Sequence, residues 1–306
     1  MSIAAVFPGQ GSQSVGMLLD IAAEFPSVRE RFGRASEAIG IDLWQISAEG
    51  PIESLNRTEV TQPALLTASI AVWDILAAAG IKAAAMAGHS LGEYSALVAS
   101  GALRFEDAVR VVRRRGQLMQ TAVPIGEGAM AAVLGLDEAD ISAACASVQG
   151  VVAPANFNAI GQIVIAGAAK AVAEAAEACK GLGAKRVVML DVSVPSHCPL
   201  MRAVEPGLAE VLAGVELRLP DTPVIHNVDA NVSASTSELT QKLLAQLANP
   251  VRWVDCVQAL AARGITRVVE CGPGNVLAGL IKRIDKNLEC TAAGTLTGLR
   301  SVLERG

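Results

Sequence analysis

The residues best placed to do chemistry lie in the stretch "GHSLGEYSAL", where Gly88-x-Ser90-x-Gly92 has the spacing of a nucleophile elbow. Small residues on either side of the serine let a strand turn sharply into a helix and leave the hydroxyl at the tip of the turn. A plain Gly-Ser loop has the same local composition, because five-residue matches of this kind also arise by chance. A serine hydroxyl attacks a carbonyl only when a base removes its proton. The chain has three histidines, His89, His197 and His226. His89 adjoins Ser90, so its side chain should diverge from the hydroxyl. His226 lies in "TPVIHNV", a strand-like run in which a hydrogen-bonded structural histidine is expected. His197 lies between Pro195 and Pro199, which exclude regular structure there. Pro199 can begin a helix, and the positive end of that helix would favour a neutral imidazole at His197. Elimination favours His197 over His226 as the base.

Arg115 stands out by its position. In "FEDAVRVVRRRGQLMQTAV" the apolar residues Ala108, Val112 and Met119 recur at helical spacing, and Arg115 falls on the same stripe. Arg110, Arg114 and Gln117 belong to the other face. A guanidinium directed at a core needs an anion to pair with. That anion is either an internal Asp or Glu, or a substrate carboxylate held by two parallel hydrogen bonds. The glycine-rich start "GQGSQSVG" meets neither phosphate-loop pattern: Ser14 occupies the third glycine position of G-x-G-x-x-G, and Met17 stands where a P-loop has lysine.

Strands and helices must alternate to hold these residues. "SIAAVF" reads as a buried strand, "TQPALLTASIAVWDILAAAG" as an apolar helix with Pro63 near its start, and "AAAMAG" as the run into the elbow. The helix "LGEYSALVASGAL" follows. Downstream, "TPVIHNV" and "ITRVVECGPG" read as strands, and "VLAGLIKRI" as a helix. This order predicts an α/β fold with a mainly parallel sheet and a site at the carboxyl ends of its strands, where Gln10, Ser90 and Gly272 would share one edge. Residues 129–192 break the rhythm. They read strand, helix, strand, strand, helix, strand, the βαββαβ order of a ferredoxin-like unit, with "PIGEG" as the linker ahead of it. The expected organisation is a catalytic domain of residues 1–124 and 194–306 with an inserted subdomain at 125–193.

Composition narrows the class. A chain of 306 residues with 52% hydrophobic but only 3% aromatic content suits close helix–sheet packing. The net charge of −5 argues against nucleic-acid binding. No uninterrupted apolar run reaches the ~18 residues of a membrane span, and "MSIAAVFPGQG" lacks the basic start of a signal peptide. The six cysteines show no CxxC and no metal-ligand spacing, which predicts reduced thiols, a cytoplasmic location and no metal.

Several motifs occur in one order along the chain: "FPGQGSQ" at 7–13, "TQPALLTASIA" at 61–71, "GHSLGEYSALV" at 88–98, "NFNAIGQIVIAG" at 156–167, "VPSHCPLM" at 194–201, "QLANPVRW" at 246–253 and "GPG" at 272–274. In this the chain resembles the malonyl-CoA:acyl carrier protein transacylases over nearly its whole length. The resemblance implies an α/β-hydrolase-like large domain carrying a ferredoxin-like insertion. It also implies Ser90 as nucleophile, His197 as catalytic histidine oriented by the main-chain carbonyl of Gln246, Arg115 as the group that binds the malonyl carboxylate, and backbone N–H groups of Gln10 and Leu91 as the oxyanion hole. The implied reaction moves malonyl from malonyl-CoA to the phosphopantetheine thiol of acyl carrier protein by a ping-pong route, with no metal or redox cofactor. Related alternatives are the malonyltransferase subunit of a malonate decarboxylase, a polyketide loading acyltransferase and a serine thioesterase or other hydrolase. Lys282, Arg283 and Lys286 form a candidate patch for the acidic carrier or an ordinary solvated helix face. The sequence does not specify an oligomeric state, and monomer is the default expectation.

Overall fold

The computed structural model describes residues 2–124, 126–191 and 194–305. Two sheets organise them. Strands β1 (Ile3–Phe7), β2 (Ala85–Gly88), β7 (Val224–Ile225), β8 (Arg267–Glu270) and β9 (Glu289–Ala292) form one sheet in the order β7-β2-β1-β8-β9, and every neighbouring pair is parallel. Strands β3 (Gly128–Leu134), β4 (Val152–Ala159), β5 (Gln162–Ala168) and β6 (Arg186–Met189) form a separate antiparallel sheet in the order β4-β5-β3-β6. The protein is thus an α/β fold with a parallel sheet and a separate antiparallel one.

Alternation along β1 explains the layers. Ala5 and Phe7 face a core built with the helices Ser27–Ile39, Thr58–Ala78 and Phe105–Ala122, while Ala4 and Val6 face a second core containing Ile225, Trp253 and Leu277. Both faces are covered, so β1 and β2 are apolar throughout, as buried parallel strands tend to be. The antiparallel sheet packs Ala131, Val133, Ile163 and Ile165 against the helices Glu138–Ala146 and Ala169–Gly181. Its other face, with Met130, Val164 and Ala166, meets Cys198 of the segment that carries His197. The four strands and two helices of 128–189 follow the expected βαββαβ order. Of the expected subdomain boundaries, Ile125, Val192 and Ser193 lie outside the described residues, as does Val192 of the last expected strand.

Three local expectations need correction. The apolar helix begins at Thr58, so Pro63 sits inside it rather than in its first turn. Its opening residues are polar, which hid them from an apolar pattern. The strand in "TPVIHNV" is only Val224–Ile225; His226 and Asn227 lie beyond its carboxyl end, at the site edge. Pro199 begins a 3-10 helix, Pro199–Val204, before the α-helix Glu205–Ala213. The helix Thr58–Ala78 is long and apolar enough to cross a membrane by length and composition, yet 83% of its apolar window is buried inside the protein.

Candidate functional site

The elbow is built by close backbone approach. Ser90 follows β2, precedes the helix Leu91–Ala99, and has φ 51° and ψ −106°, a strained conformation for a residue with a side chain. A Cβ on Gly88 would lie 1.9 Å from the carbonyl of Gly92, and one on Gly92 would lie 2.0 Å from the oxygen of Phe7. Both glycines of Gly88-x-Ser90-x-Gly92 are therefore sterically required, which excludes the Gly-Ser loop reading. Gly9 meets the elbow in the same way, since its Cβ would lie 2.6 Å from the oxygen of His89. That contact sets the loop bearing Gln10 alongside Ser90. Leu91 is the first residue of its helix, where a backbone N–H has no partner within the helix.

The base expected from the sequence is in reach. His197 Nε2 is 2.7 Å from Ser90 Oγ, and His197 Nδ1 is 2.8 Å from the main-chain oxygen of Gln246. A carbonyl can only accept, so Nδ1 carries the proton and Nε2 is left bare toward the serine. His197 is buried, and burial pushes its pKa down to about 3, with the Arg115 cation adding to the fall and the Gln246 carbonyl opposing it. The imidazole is neutral at physiological pH, as expected, but burial and Arg115 make it so rather than a helix end.

Arg115 is fully buried on its helix with Ala108, Val112 and Met119. Its guanidinium donates to Gln62 Oε1 and Gln246 Oε1, each at 2.9 Å, lies 3.3 Å from Ser90 Oγ, and covers the Tyr94 ring at 5.5 Å. Its side-chain partners are neutral, and among the described residues no carboxylate lies within ion-pair distance of it. Burial lowers its pKa, countered by the nearby Tyr94 and Glu93. Arg115 Nε and Tyr94 Oη are buried without a well-formed hydrogen bond, although the two side chains are close enough to interact electrostatically.

The other two histidines are elsewhere engaged. His89 turns away from the hydroxyl: its Nε2 is 2.8 Å from Asn158 Oδ1, and its ring lies beside Trp253. His226 is buried between Glu93 Oε1 and Ser233 Oγ, each at 2.8 Å, which is the structural role expected of it.

Sequence reasoning missed a layer of buried polar groups behind the elbow. Gln246 contributes its side chain as well as its carbonyl, with Nε2 2.9 Å from Glu93 Oε2 and 3.1 Å from the oxygen of Ser90. Glu93 Oε2 also accepts from the backbone N–H of Asn227 at 2.9 Å. Glu93 interrupts the apolar helix Leu91–Ala99, the one signal that marked this layer. A cavity of about 540 Å³ opens on Ser90 and His197, in front of this buried layer. Gln10, Ser90 and His197 line it from the parallel-sheet side, and Met130, Asn158 and Val164 from the antiparallel sheet. A second cavity of about 530 Å³ contains none of these residues, and its Arg31 and Asp74 pair with each other.

Comparison with known proteins places the chain in a family. The acyl transferase domain family matches residues 5–299. The malonyl CoA-acyl carrier protein transacylase of Escherichia coli (strain K12) is 51% identical over 304 residues, covering 98% of each chain. That of Bacillus subtilis (strain 168) is 45% identical, covering 95% of this chain and 92% of its own. Among solved structures, the malonyl-CoA:acyl carrier protein transacylase of Xanthomonas oryzae superposes with a TM-score of 0.98 at 51% identity, covering 100% of this chain and 99% of that one. A malonyl-transacylase in complex with a type II PKS acyl-carrier protein also gives 0.98, at 48% identity and full coverage of both chains. With a serine, a neutral histidine and a buried arginine converging in a fold shared from end to end with these proteins, the chain belongs to the acyl transferase domain family and, within it, to the malonyl CoA-acyl carrier protein transacylases.

Proposed function

We propose that the protein transfers a malonyl group from malonyl-CoA to the phosphopantetheine thiol of an acyl carrier protein, through a malonyl ester on Ser90. The observation that carries this reading is Arg115: a buried cation that donates to the neutral side chains of Gln62 and Gln246, has no carboxylate within ion-pair distance among the described residues, and lies 3.3 Å from the hydroxyl that would carry the acyl group. A site for uncharged esters has no use for such a charge. A malonyl carboxylate completes it with two parallel, charge-assisted hydrogen bonds.

His197 Nε2 takes the Ser90 proton as Oγ attacks the thioester carbonyl carbon. The oxyanion is received by the N–H groups of Leu91 and Gln10, donors in place before charge develops. As the tetrahedral intermediate collapses, the C–S bond breaks and the CoA sulfur leaves with the proton from His197. The phosphopantetheine thiol then gives its proton to the same Nε2, attacks the malonyl ester carbon and returns the hydroxyl to Ser90. Pairing of the malonyl carboxylate with Arg115 neutralises the cation that depresses His197, so substrate binding itself raises the basicity of the imidazole. The scheme uses no metal or redox cofactor.

On this reading residues 1–124 and 194–306 form an α/β-hydrolase-like catalytic unit. The sheet order β4-β5-β3-β6, with its two helices, supports a ferredoxin-like subdomain over 125–193 that supplies the second wall of the cavity. Lys282, Arg283 and Lys286 are exposed, and they form a basic patch for the acidic carrier. Initial rates at varied malonyl-CoA and holo-carrier test the scheme. A covalent shuttle gives parallel double-reciprocal lines; intersecting lines, or release of free malonate in place of malonyl-carrier, would contradict it.

A further inference from the structure

The strained elbow is bridged by a side chain that the proposed chemistry does not use. Asn227 is fully buried just beyond the two-residue strand β7. Its Oδ1 accepts the backbone N–H of Ser90 at 2.7 Å, and its Nδ2 donates to the oxygen of Gly88 at 2.7 Å. Its own N–H donates to Glu93 Oε2 at 2.9 Å, and its own carbonyl accepts from the N–H of Arg252 at 3.0 Å. Every polar group of the residue is thus committed. The orientation of the carboxamide is determined as well, since a flip would set its NH₂ against the Ser90 N–H and its oxygen against the Gly88 oxygen. β7 pairs with β2 at Met86 and Ala87, and the Asn227 side chain continues that pairing across Gly88 to Ser90, where the chain has already turned out of the sheet.

We propose that Asn227 is a positioning residue for the nucleophile: its carboxamide holds Ser90 in its strained conformation and takes the Ser90 N–H out of the oxyanion site. Two consequences follow from the geometry. With φ 51° and ψ −106°, Ser90 relaxes toward an ordinary region of backbone space unless both sides of the turn are tied, and relaxation moves Oγ away from His197 Nε2. With the Ser90 N–H already donated, the oxyanion is left to the N–H groups of Leu91 and Gln10. The inference rests on Ser90 being acylated, as proposed above.

The test compares wild type with Asn227→Leu, which is similar in size and makes neither bond, and Asn227→Asp, which keeps an acceptor for Ser90 but sets a carboxylate oxygen against the Gly88 carbonyl. Active sites are titrated with malonyl-CoA by intact mass, and the acylation rate constant per titrated site is measured in single turnover. A residue that only supports the fold lowers the titre and leaves the rate per site alone. The positioning role predicts the reverse: a titre near that of wild type, an acylation rate lower by about tenfold to a hundredfold, and an apparent affinity for malonyl-CoA within about twofold because Arg115 is untouched. Rates per site within about twofold of wild type in both variants would overturn it. On the wild-type chain, hydrogen exchange decides the matter even if neither variant folds. The Ser90 amide should exchange as slowly as amides in the parallel sheet, and exchange as fast as an exposed loop means that the clamp does not exist. A wild-type chain that takes up no malonyl group defeats the parent scheme, whereas loss confined to the variants bears on Asn227 alone.

Discussion

Replacing Arg115 by alanine separates recognition of the substrate from catalysis in general. In the wild-type site the guanidinium is fully buried, donates to two glutamine oxygens at 2.9 Å, and has no carboxylate within ion-pair distance among the described residues. In the proposed scheme malonyl-CoA supplies the missing anion, and acetyl-CoA would present a methyl group to the same buried cation. Truncating one partner of a buried, hydrogen-bonded charge pair costs about 2–5 kcal/mol. At about 1.4 kcal/mol per tenfold, kcat/KM for malonyl-CoA should fall by roughly 30- to 4,000-fold. Acetyl-CoA loses no ion pair and no longer meets an uncompensated charge, so its kcat/KM should hold or rise. The substitution also leaves the side-chain oxygens of Gln62 and Gln246 without this donor, each at about 1–3 kcal/mol, and some loss of thermal stability is expected. The ratio of the two kcat/KM values cancels that loss, because both substrates meet the same enzyme. Arg115→Lys should recover little, since an ammonium cannot reproduce the planar fork. Equal proportional losses on malonyl-CoA and acetyl-CoA would refute the assignment and make Arg115 structural.

Three further outcomes follow from the geometry. His197→Ala should slow acylation and transfer together by about 10²- to 10⁴-fold, whereas His226→Ala should lower the melting temperature more and the rate less, because it strips a partner from buried Glu93. The pH profile of acylation tests the environment of His197: a base works unprotonated, so with its pKa near 3 the acid limb of kcat/KM should lie far below the ordinary histidine value of 6.5. In Arg115→Ala, loss of the cation that opposes protonation should move that limb upward, and an unmoved limb would contradict the coupling. Gly92→Ala places a Cβ 2.0 Å from the oxygen of Phe7, and with backbone on both sides it should cost about 3 kcal/mol or more, read as a lower melting temperature in calorimetry.

What the sequence made legible is what repeats or punctuates. Small residues around Ser90 announced the elbow because the chain can close there only without Cβ atoms, and Arg115 was visible because one cation on an apolar stripe breaks a periodic pattern. His197 emerged by elimination among three histidines. The alternation of strands and helices showed the βαββαβ segment, but it exaggerated the strand of "TPVIHNV", where two residues pair and the next two serve the site. Asn227, Gln62 and the Gln246 side chain stayed hidden because their importance lies in which distant groups the fold brings within 3 Å of them, as Asn227 and Ser90 are, 137 residues apart in the chain. A carboxamide has no periodicity or charge to betray it. The depression of the His197 pKa was anticipated for the wrong cause, since burial and a cation from another helix are invisible to a local reading.

Acylation of Ser90 by malonyl is tested most directly by intact-mass analysis after mixing the protein with malonyl-CoA, followed by peptide mapping. One added malonyl group per chain should appear on the peptide containing Ser90, disappear when a holo-carrier protein is added, and be absent from Ser90→Ala under the same conditions. Labelling of Ser90→Ala at the wild-type level, or an adduct mapped to another residue, would contradict the account.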